Sequence, residues 1–330
     1  MHNLKNQDSK RPCVVAGNGP SLAEIDYARL PKDFDVFRCN QFYFEDKYYL
    51  GKEIKLAFAN PGVLFEQLYT LRTLHYRGEY DIDGIVCTNF NLDHIDHGYK
   101  ERKRRFGGVM EGQEIIDNLG RLRDFLHYNE LFLSRRITSG IYMCAVAVAL
   151  GYKQIYIAGI DFYEGDRPYA FEFLKKNLLR LSPDFSPDGQ PYGGHGKDVD
   201  LEGLEFLAKH YGVEFYSLCP SSPLSKHLPL ASPTGGGMKL ESRSEDSIQD
   251  LLIPSKQAYE KFNRGLPDNF MLRPPGEEER RLYESYKAGL KHNGIQKVAR
   301  DFLRLPRDLA SYIKGRRLLA KWKKEWESYE

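Results

Sequence analysis

The chain has 330 residues, 41% of them hydrophobic and 28% charged, an ordinary globular composition sufficient for one large domain or one and a half. A net charge of only +2 excludes a molecule-wide basic footprint for nucleic acid. Residues 295–330 nevertheless hold ten Lys/Arg against five Asp/Glu, so a mildly acidic body carries a basic tail.

The opening MHNLKNQDSKRP is polar and lacks the apolar stretch of a signal peptide, which predicts a disordered N-terminus over 1–12. Strand-like runs follow at 13–18, 34–40, 54–60, 83–91, 154–161 and 213–220. They are apolar on consecutive positions, as strands covered on both faces should be. Helical patterns lie between them at 21–30, 62–74, 139–150 and 200–210, the last with Asp200 or Val199 before its start. This alternation predicts a single Rossmann-like α/β domain with a mostly parallel sheet. Residues 163–197 contain SPDFSPDGQPYGGHGKD, too rich in Pro, Gly and Asp for an element, and read as a lid. Residues 231–246, ASPTGGGMKLESRSED, read as a flexible surface segment. The longest apolar run, 141–150, is about half of the ~20 residues that span a membrane.

The five cysteines are an odd number, lie in apolar runs and have no metal-like spacing, which predicts reduced core thiols in a reducing compartment. His94 and His97 in NLDHIDHGY form an H-x-x-H that nothing else supports as a metal site.

Small polar residues follow successive strands: Asn18, Asn40, Asn60, Asn89, Asn91 and Asp161. In an open α/β sheet the ligand crevice lies at the carboxyl ends of the strands, although Asn also simply suits turns. The first turn, GNGPSL, begins like a dinucleotide fingerprint but has Leu22 where the third glycine belongs. Asn40 stands where the ribose-binding acid belongs. A nicotinamide or flavin enzyme is therefore disfavoured, and backbone N–H groups from Asn18 onward are expected to hold one phosphate rather than two.

The stretches GNGPSLAEIDYARLPKDFDVFRCNQFYFEDKYYLG, NPGVLFEQLYTL and RRITSGIYMCAVAVALGYKQIYIAGIDFYEG resemble the bacterial lipooligosaccharide sialyltransferases, glycosyltransferase family 42. The resemblance covers about 260 residues and is strongest at 14–74, 135–181 and 192–220. It implies a modified glycosyltransferase-A-type fold, a catalytic nucleotide-sugar domain over 13–262 with its lid at about 163–197, and a linker and tail over 263–330. CMP-sialic acid is the implied donor, a glycan of lipooligosaccharide the acceptor, and no metal or other cofactor takes part. The implied protein is a homo-oligomer (a tetramer by resemblance) in the bacterial cytoplasm, peripheral on the inner face of the cytoplasmic membrane, with no nucleic-acid partner.

Sialyl transfer needs a base for the acceptor hydroxyl and relief for charge growing on the leaving phosphate. A loop histidine flanked by glycines, such as His195 in GGHGKD, is more often merely solvated; the resemblance makes it the catalytic base. It likewise directs the hydroxyls of Tyr163 and Tyr169 at the phosphate, although either tyrosine alone reads equally as packing. Three literal Asp-x-Asp matches occur, Asp33/Asp35, Asp81/Asp83 and Asp198/Asp200, no more than a chain with this many aspartates offers by chance.

For donor binding the resemblance implies Gly17, Asn18, Gly19, Asn40, Gln41, Asn60, Arg136, Thr138 and Ser139, together with Gly159, Ile160, Asp161 and Phe162. Arg136 brings a positive charge, and Thr138 and Ser139 open a helix whose N-terminus favours an anion; Ser139 can equally be only an N-cap. Alternatives that remain are a transferase using another nucleotide sugar and a non-catalytic nucleotide-binding module. Leu309, Tyr312, Ile313, Leu319, Trp322 and Trp326 fall roughly on one face of a basic tail helix, which suits an anionic membrane or a partner subunit. The family's place of action favours the membrane.

Overall fold

The computed structural model describes residues 11–88, 104–164, 167, 169–171, 194–235, 237–243, 253–266, 271–277 and 294–327. Seven strands form one sheet: β1 (Cys13–Ala16), β2 (Asp35–Cys39), β3 (Glu53–Ala59), β4 (Asp81–Cys87), β5 (Val109–Glu111), β6 (Gln154–Ala158) and β7 (Glu214–Ser217). Their order is β5-β4-β3-β2-β1-β6-β7, and every pairing is parallel. The winding direction reverses between β1 and β6, and the crevice outside the carboxyl ends at such a reversal is where ligands bind in this architecture. Strand β5 carries only three residues between glycines, too few for a periodic signal.

The period-two alternation of β1 explains the two cores. Cys13 and Val15 point to one face, with Phe37, Phe58, Ile155 and Ile157; Val14 and Ala16 point to the other, with Val36, Leu22 and Leu74. Four helices belong to the first face: α2 (Gly112–Ile116), α3 (Gly120–Leu133), α4 (Ser139–Ala149) and α5 (Lys197–Tyr211). Helix α4 is buried at every position from Gly140 to Val148, as a helix apolar on all sides must be. Each of its fully buried Ile, Met or Val side chains contributes about 1.5–3 kcal/mol. The second face is covered by short turns and by α1 (Leu64–Tyr76).

Three helix expectations are corrected. The pattern at 21–30 folds as two 3₁₀ turns, Pro20–Glu24 and Tyr27–Arg29, not as an α-helix. Ile25 turns extended between them, and the Asp26 side chain accepts the Ala28 amide, the local competition that keeps aspartate out of helix interiors. Helix α5 starts at Lys197 with Gly196 as its N-cap, so Asp200 lies within it. The helix that follows α1's entry turn begins at Leu64, after the 3₁₀ turn Pro61–Val63.

The stretch after Ala231 is not loose as far as it is described. Ala231 is fully buried, Thr234 donates to the Leu30 carbonyl at 2.5 Å, Ser242 bridges Lys47, and Arg243 is buried. Residues 231–243 therefore act as a strap over the second face. The lid expected at 163–197 falls largely on residues outside those described, as do Asn89, Asn91, His94 and His97.

The chain divides into two compact units, one ending at Leu272 and the other Arg273–Glu330. The first includes α6 (Lys256–Asn263), whose Phe262 lies against Phe65 and Phe106. The second contains α7 (Gly294–Glu327), a 34-residue helix with Pro306 inside it. Among the described residues, no helix is long and apolar enough to cross a membrane.

Candidate active site at the sheet reversal

Gly17 and Gly159 leave β1 and β6 side by side. A methyl group on Gly17 would sit 2.3 Å from the Gly159 carbonyl oxygen, and one on Gly159 would sit 2.7 Å from the Gly17 oxygen. Only glycine permits that approach, and Gly159 also adopts φ +62. The two loops are laced by Gly17 N–H to Ala158 O at 3.0 Å and Gly19 N–H to Gly159 O at 2.9 Å. Ser21 N–H donates to Asp161 at 2.8 Å, and the other Asp161 oxygen accepts the Ser222 hydroxyl at 2.8 Å.

These bonds revise the role of the first turn. Its amides at Gly17, Gly19, Ser21 and Leu22 are committed within the protein, so those four are not spare donors for a phosphate. Asp161 braces the two loops.

What the crevice does present is a pair of buried acceptors. Asn18 gives its Nδ2 to the Cys39 carbonyl at 3.1 Å, and Asn40 gives its Nδ2 to Ser139 Oγ at 3.4 Å. The Oδ1 atoms of both are buried and have no partner among the described residues. Buried acceptors are normally satisfied, so these two suit hydroxyl or amino donors of a ligand. Gln41 is buried beside Asn40, and its carbonyl closes the following turn by accepting the Phe44 amide. Asn60 is different: its Oδ1 caps Gly62 N–H at 2.9 Å and its side chain is exposed, so the turn-forming role accounts for it.

Opposite these residues, 135–138 runs into α4 and is tied to α5. Arg135 forms two bonds to Glu202, at 3.1 and 2.5 Å. Thr138, the N-cap of α4, gives its amide to Asp200 Oδ1 and its hydroxyl to Oδ2, each at 2.7 Å. The single hydroxyl proton of Thr138 is thus held by Asp200, and the guanidinium of Arg136 pairs with Glu130. The Thr138 hydroxyl is thus committed, Arg136 keeps a positive charge beside Glu130, and the N-terminus of α4 at Ser139 adds a second anion-attracting feature.

His195 sits between these elements. It bridges Arg136 in parallel fashion, with the Arg136 amide donating to the Gly194 carbonyl at 2.9 Å. Its Nδ1 lies 3.0 Å from the Arg136 carbonyl oxygen. A carbonyl can only accept, so Nδ1 carries the proton and Nε2 keeps its lone pair. Burial lowers the imidazole pKa below its usual 6.5, with Arg136 adding to the effect and the backbone bonds opposing it.

The third component is the turn Asp161–Phe162–Tyr163–Glu164, closed by Glu164 N–H to Asp161 O at 2.8 Å. Phe162 and Tyr163 have φ +54 and +60, left-handed values costing side-chain-bearing residues roughly 1–2 kcal/mol each. Lys197 pins the turn to the segment bearing His195, with Nζ 2.8 Å from Glu164 and 5.5 Å above the Phe162 ring centroid. Tyr163 is 43% exposed as a residue, and the desolvation of its phenol, followed by Asp200 and Cys39, raises the phenol pKa. Tyr169 stacks on Phe171 at 5.3 Å, and the next amide, Ala170, donates to the Asn18 carbonyl at 2.9 Å. Its phenol is raised by burial, with Tyr163 and Cys39 adding to the shift. Both phenols therefore hold their protons near neutrality.

The sequence profile of the family described as CST-I, alpha-2,3-sialyltransferase, matches residues 11–316. The chain belongs to the CST-I sialyltransferase family. As a member it is a glycosyltransferase. Its fold resembles Campylobacter jejuni CstII solved with the substrate analogue CMP-3FNeuAc: TM-score 0.73, 45% identity, covering 78% of this chain and all of that one. It resembles the monofunctional alpha-2,3-sialyltransferase Cst-I of the same organism with TM-score 0.73 and 44% identity, over 78% of this chain and 94% of that one. CST-II bound to a trisaccharide acceptor and CMP gives TM-score 0.70 and 45% identity, over 78% of this chain and all of that one.

Family membership gives the crevice its context. Sequence patterns drew attention to Asn18 and Asn40 on its rim, and the family resemblance to Tyr163, Tyr169 and His195. They missed Ser222, Lys197 and Glu164, and they did not show that Asp161 pairs with Ser222, Lys197 with Glu164, and Asp200 with Thr138. Asp200 did carry a signal, its place in an Asp-x-Asp, but under the wrong chemistry.

Proposed function

We propose that the chain moves sialic acid from CMP-sialic acid to a hydroxyl of a terminal sugar of lipooligosaccharide, galactose and/or sialic acid, with inversion at the anomeric carbon. The observation that carries this is the fixed tautomer of His195, whose lone pair on Nε2 belongs to a lowered-pKa imidazole beside the Tyr163 turn. In the step, Nε2 takes the acceptor hydroxyl proton while that oxygen bonds to the anomeric carbon. The bond from the anomeric carbon to the phosphate oxygen breaks, and CMP leaves with the electron pair. Tyr163 and Tyr169 donate hydrogen bonds to the phosphate as its charge grows, bonds of the strong charge-assisted kind. The bound relatives support the substrates: CstII with CMP-3FNeuAc, and CST-II with a trisaccharide acceptor and CMP.

The carboxylate positions support a reaction without a divalent ion. Asp33 and Asp35 lie at the amino end of β2, paired with Arg11 and Tyr152. Asp81 and Asp83 begin β4, beside His75 and Lys55. Both pairs are at the opposite end of the sheet from the crevice, and Asp200 gives both its oxygens to Thr138. CMP release from CMP-sialic acid, measured in excess chelator with and without a galactoside, tests the proposal. We expect acceptor-dependent release unchanged by the chelator. No release, or release restored only by a divalent ion, overturns it.

The second unit supports action at the inner face of the cytoplasmic membrane. Helix α7 exposes large apolar side chains, among them Phe302, Leu305, Leu309, Tyr312, Ile313 and Leu319, and it is rich in Lys and Arg. Such helices bind anionic lipid surfaces. The side chains of Trp322 and Trp326 lie outside the described residues. Ending the chain at Asn293 is expected to abolish sedimentation with anionic vesicles while sparing transfer to a soluble acceptor. Unchanged vesicle binding would refute the role of the tail.

A further inference from the structure

Asp200 is the most enclosed carboxylate near the crevice. It is fully buried, lies in the first turns of α5 and has no cation paired with it among the described residues. Its two oxygens are matched to two donors of one residue across the groove between α4 and α5. The other tie between the same segments, Arg135 to Glu202, is partly exposed, and exposed ion pairs hold geometry weakly. Between these two ties lies the Arg136 carbonyl that receives His195 Nδ1–H. Asn129 and Glu130 hold the segment toward α3, and on the α5 side the carbonyl that fixes the imidazole is held chiefly through Thr138. Burial pushes Asp200 up to about 7, against the pull of both Thr138 bonds.

We propose that Asp200 is a positioning residue for transfer: by gripping the amide and hydroxyl of Thr138 it holds residues 135–138 against α5 and so aims His195 at the acceptor hydroxyl. This rests on His195 being the base. Asp200 does not touch the reacting atoms, and it is not a metal ligand despite its Asp-x-Asp setting. An acceptor for the Thr138 amide is what the position requires. Asparagine supplies one and can turn its Nδ2 toward the Thr138 hydroxyl oxygen, whereas alanine supplies nothing.

The test uses the full-length protein with CMP-sialic acid and a soluble galactoside. Asp200→Ala is expected to lower kcat by up to about 10²-fold, the cost of a displacement near 1 Å at a reacting group, with donor KM changed less than about threefold. Asp200→Asn should recover most of the turnover. Thr138→Val, which keeps the backbone bond and the side-chain volume, should lose an intermediate several-fold and serves if Asp200→Ala does not fold. On a His195→Ala background, Asp200→Ala should cost nothing further, because the two act through one imidazole. Independently of activity, ¹⁵N shifts of His195 should show one tautomer in the parent and a mixture in Asp200→Ala.

Parental kcat in Asp200→Ala overturns the inference. So does an equal further loss on the His195→Ala background, or an Asn variant as slow as the alanine. Near-normal turnover in His195→Ala alone is a different failure: it removes the base and with it the proposed function.

Discussion

Replacing His195 by alanine is expected to leave CMP binding within about twofold and to lower transfer by roughly 10² to 10⁴, the usual worth of a positioned general base. Initial rates and a CMP titration measure the two quantities. The separation follows from geometry. The residues with free polar atoms for the donor, Asn18 and Asn40, sit at the ends of β1 and β2, and none depends on the imidazole. Near-parental turnover would remove His195 from the mechanism. The pH profile carries the same information. Burial disfavours the charged imidazole, so as pH falls through 6.5 the folded enzyme keeps its base unprotonated. The acid limb of kcat/KM should therefore lie below 6.5. The stability linked to this group has the same sign: fully present above 6.5, it is lost as pH falls through the lowered folded value.

Replacing Glu45 by alanine is expected to lower stability by about 3–5 kcal/mol, the cost of breaking a buried ion pair from one side, with a melting temperature lower by about 10 °C. Glu45 and Arg38 are buried and bonded at 2.9 Å. Tyr80 donates to the same carboxylate at 2.8 Å, and Arg243 from the strap reaches the Tyr43 carbonyl and, at 3.2 Å, that of Glu45. Without the carboxylate, two guanidinium groups remain enclosed, and among the described residues Arg38 is left against the Phe42 ring at 5.0 Å. Differential scanning calorimetry decides the matter, and a shift below about 2 °C would mean that water reaches the vacated site. Arg38 stands immediately before Cys39 and Asn40, so the same loss should loosen the second rim of the crevice.

The strands were legible because a sheet covered on both faces leaves unbroken apolar runs, as in residues 13–16 and 154–158. Helix α4 was legible for the same reason. Strand β5 was not, since its place in the sheet is decided by pairing with β4. The 3₁₀ turns at 20–29 imitate a helix in their apolar spacing but are set by Pro20 and the Asp26 side chain, which local pattern weighs poorly. The strap at 231–243 looked loose because its composition is that of a surface, while its anchors, Ala231 and Arg243, find partners about 200 residues earlier in the chain.

At the site, the rim residues were visible as motifs, yet what they do locally was not. Nothing in GNGPSL shows that the amides of Gly17, Gly19 and Ser21 are already occupied by Ala158, Gly159 and Asp161. Nor does RRITSG show that Arg136 and Thr138 have partners of their own, Glu130 and Asp200. Such pairings join positions far apart in sequence and exist only once the sheet has formed.

The contact of Gly17 with Gly159 also sets bounds on how this scaffold can be altered. A saturation library across the two loops would find positions 17 and 159 closed to every residue larger than glycine, because the obstructing atoms are main-chain oxygens that cannot rotate away. Diversity aimed at a new nucleotide or sugar would have to enter through Asn18 and Asn40, where side chains, and not the backbone, line the crevice.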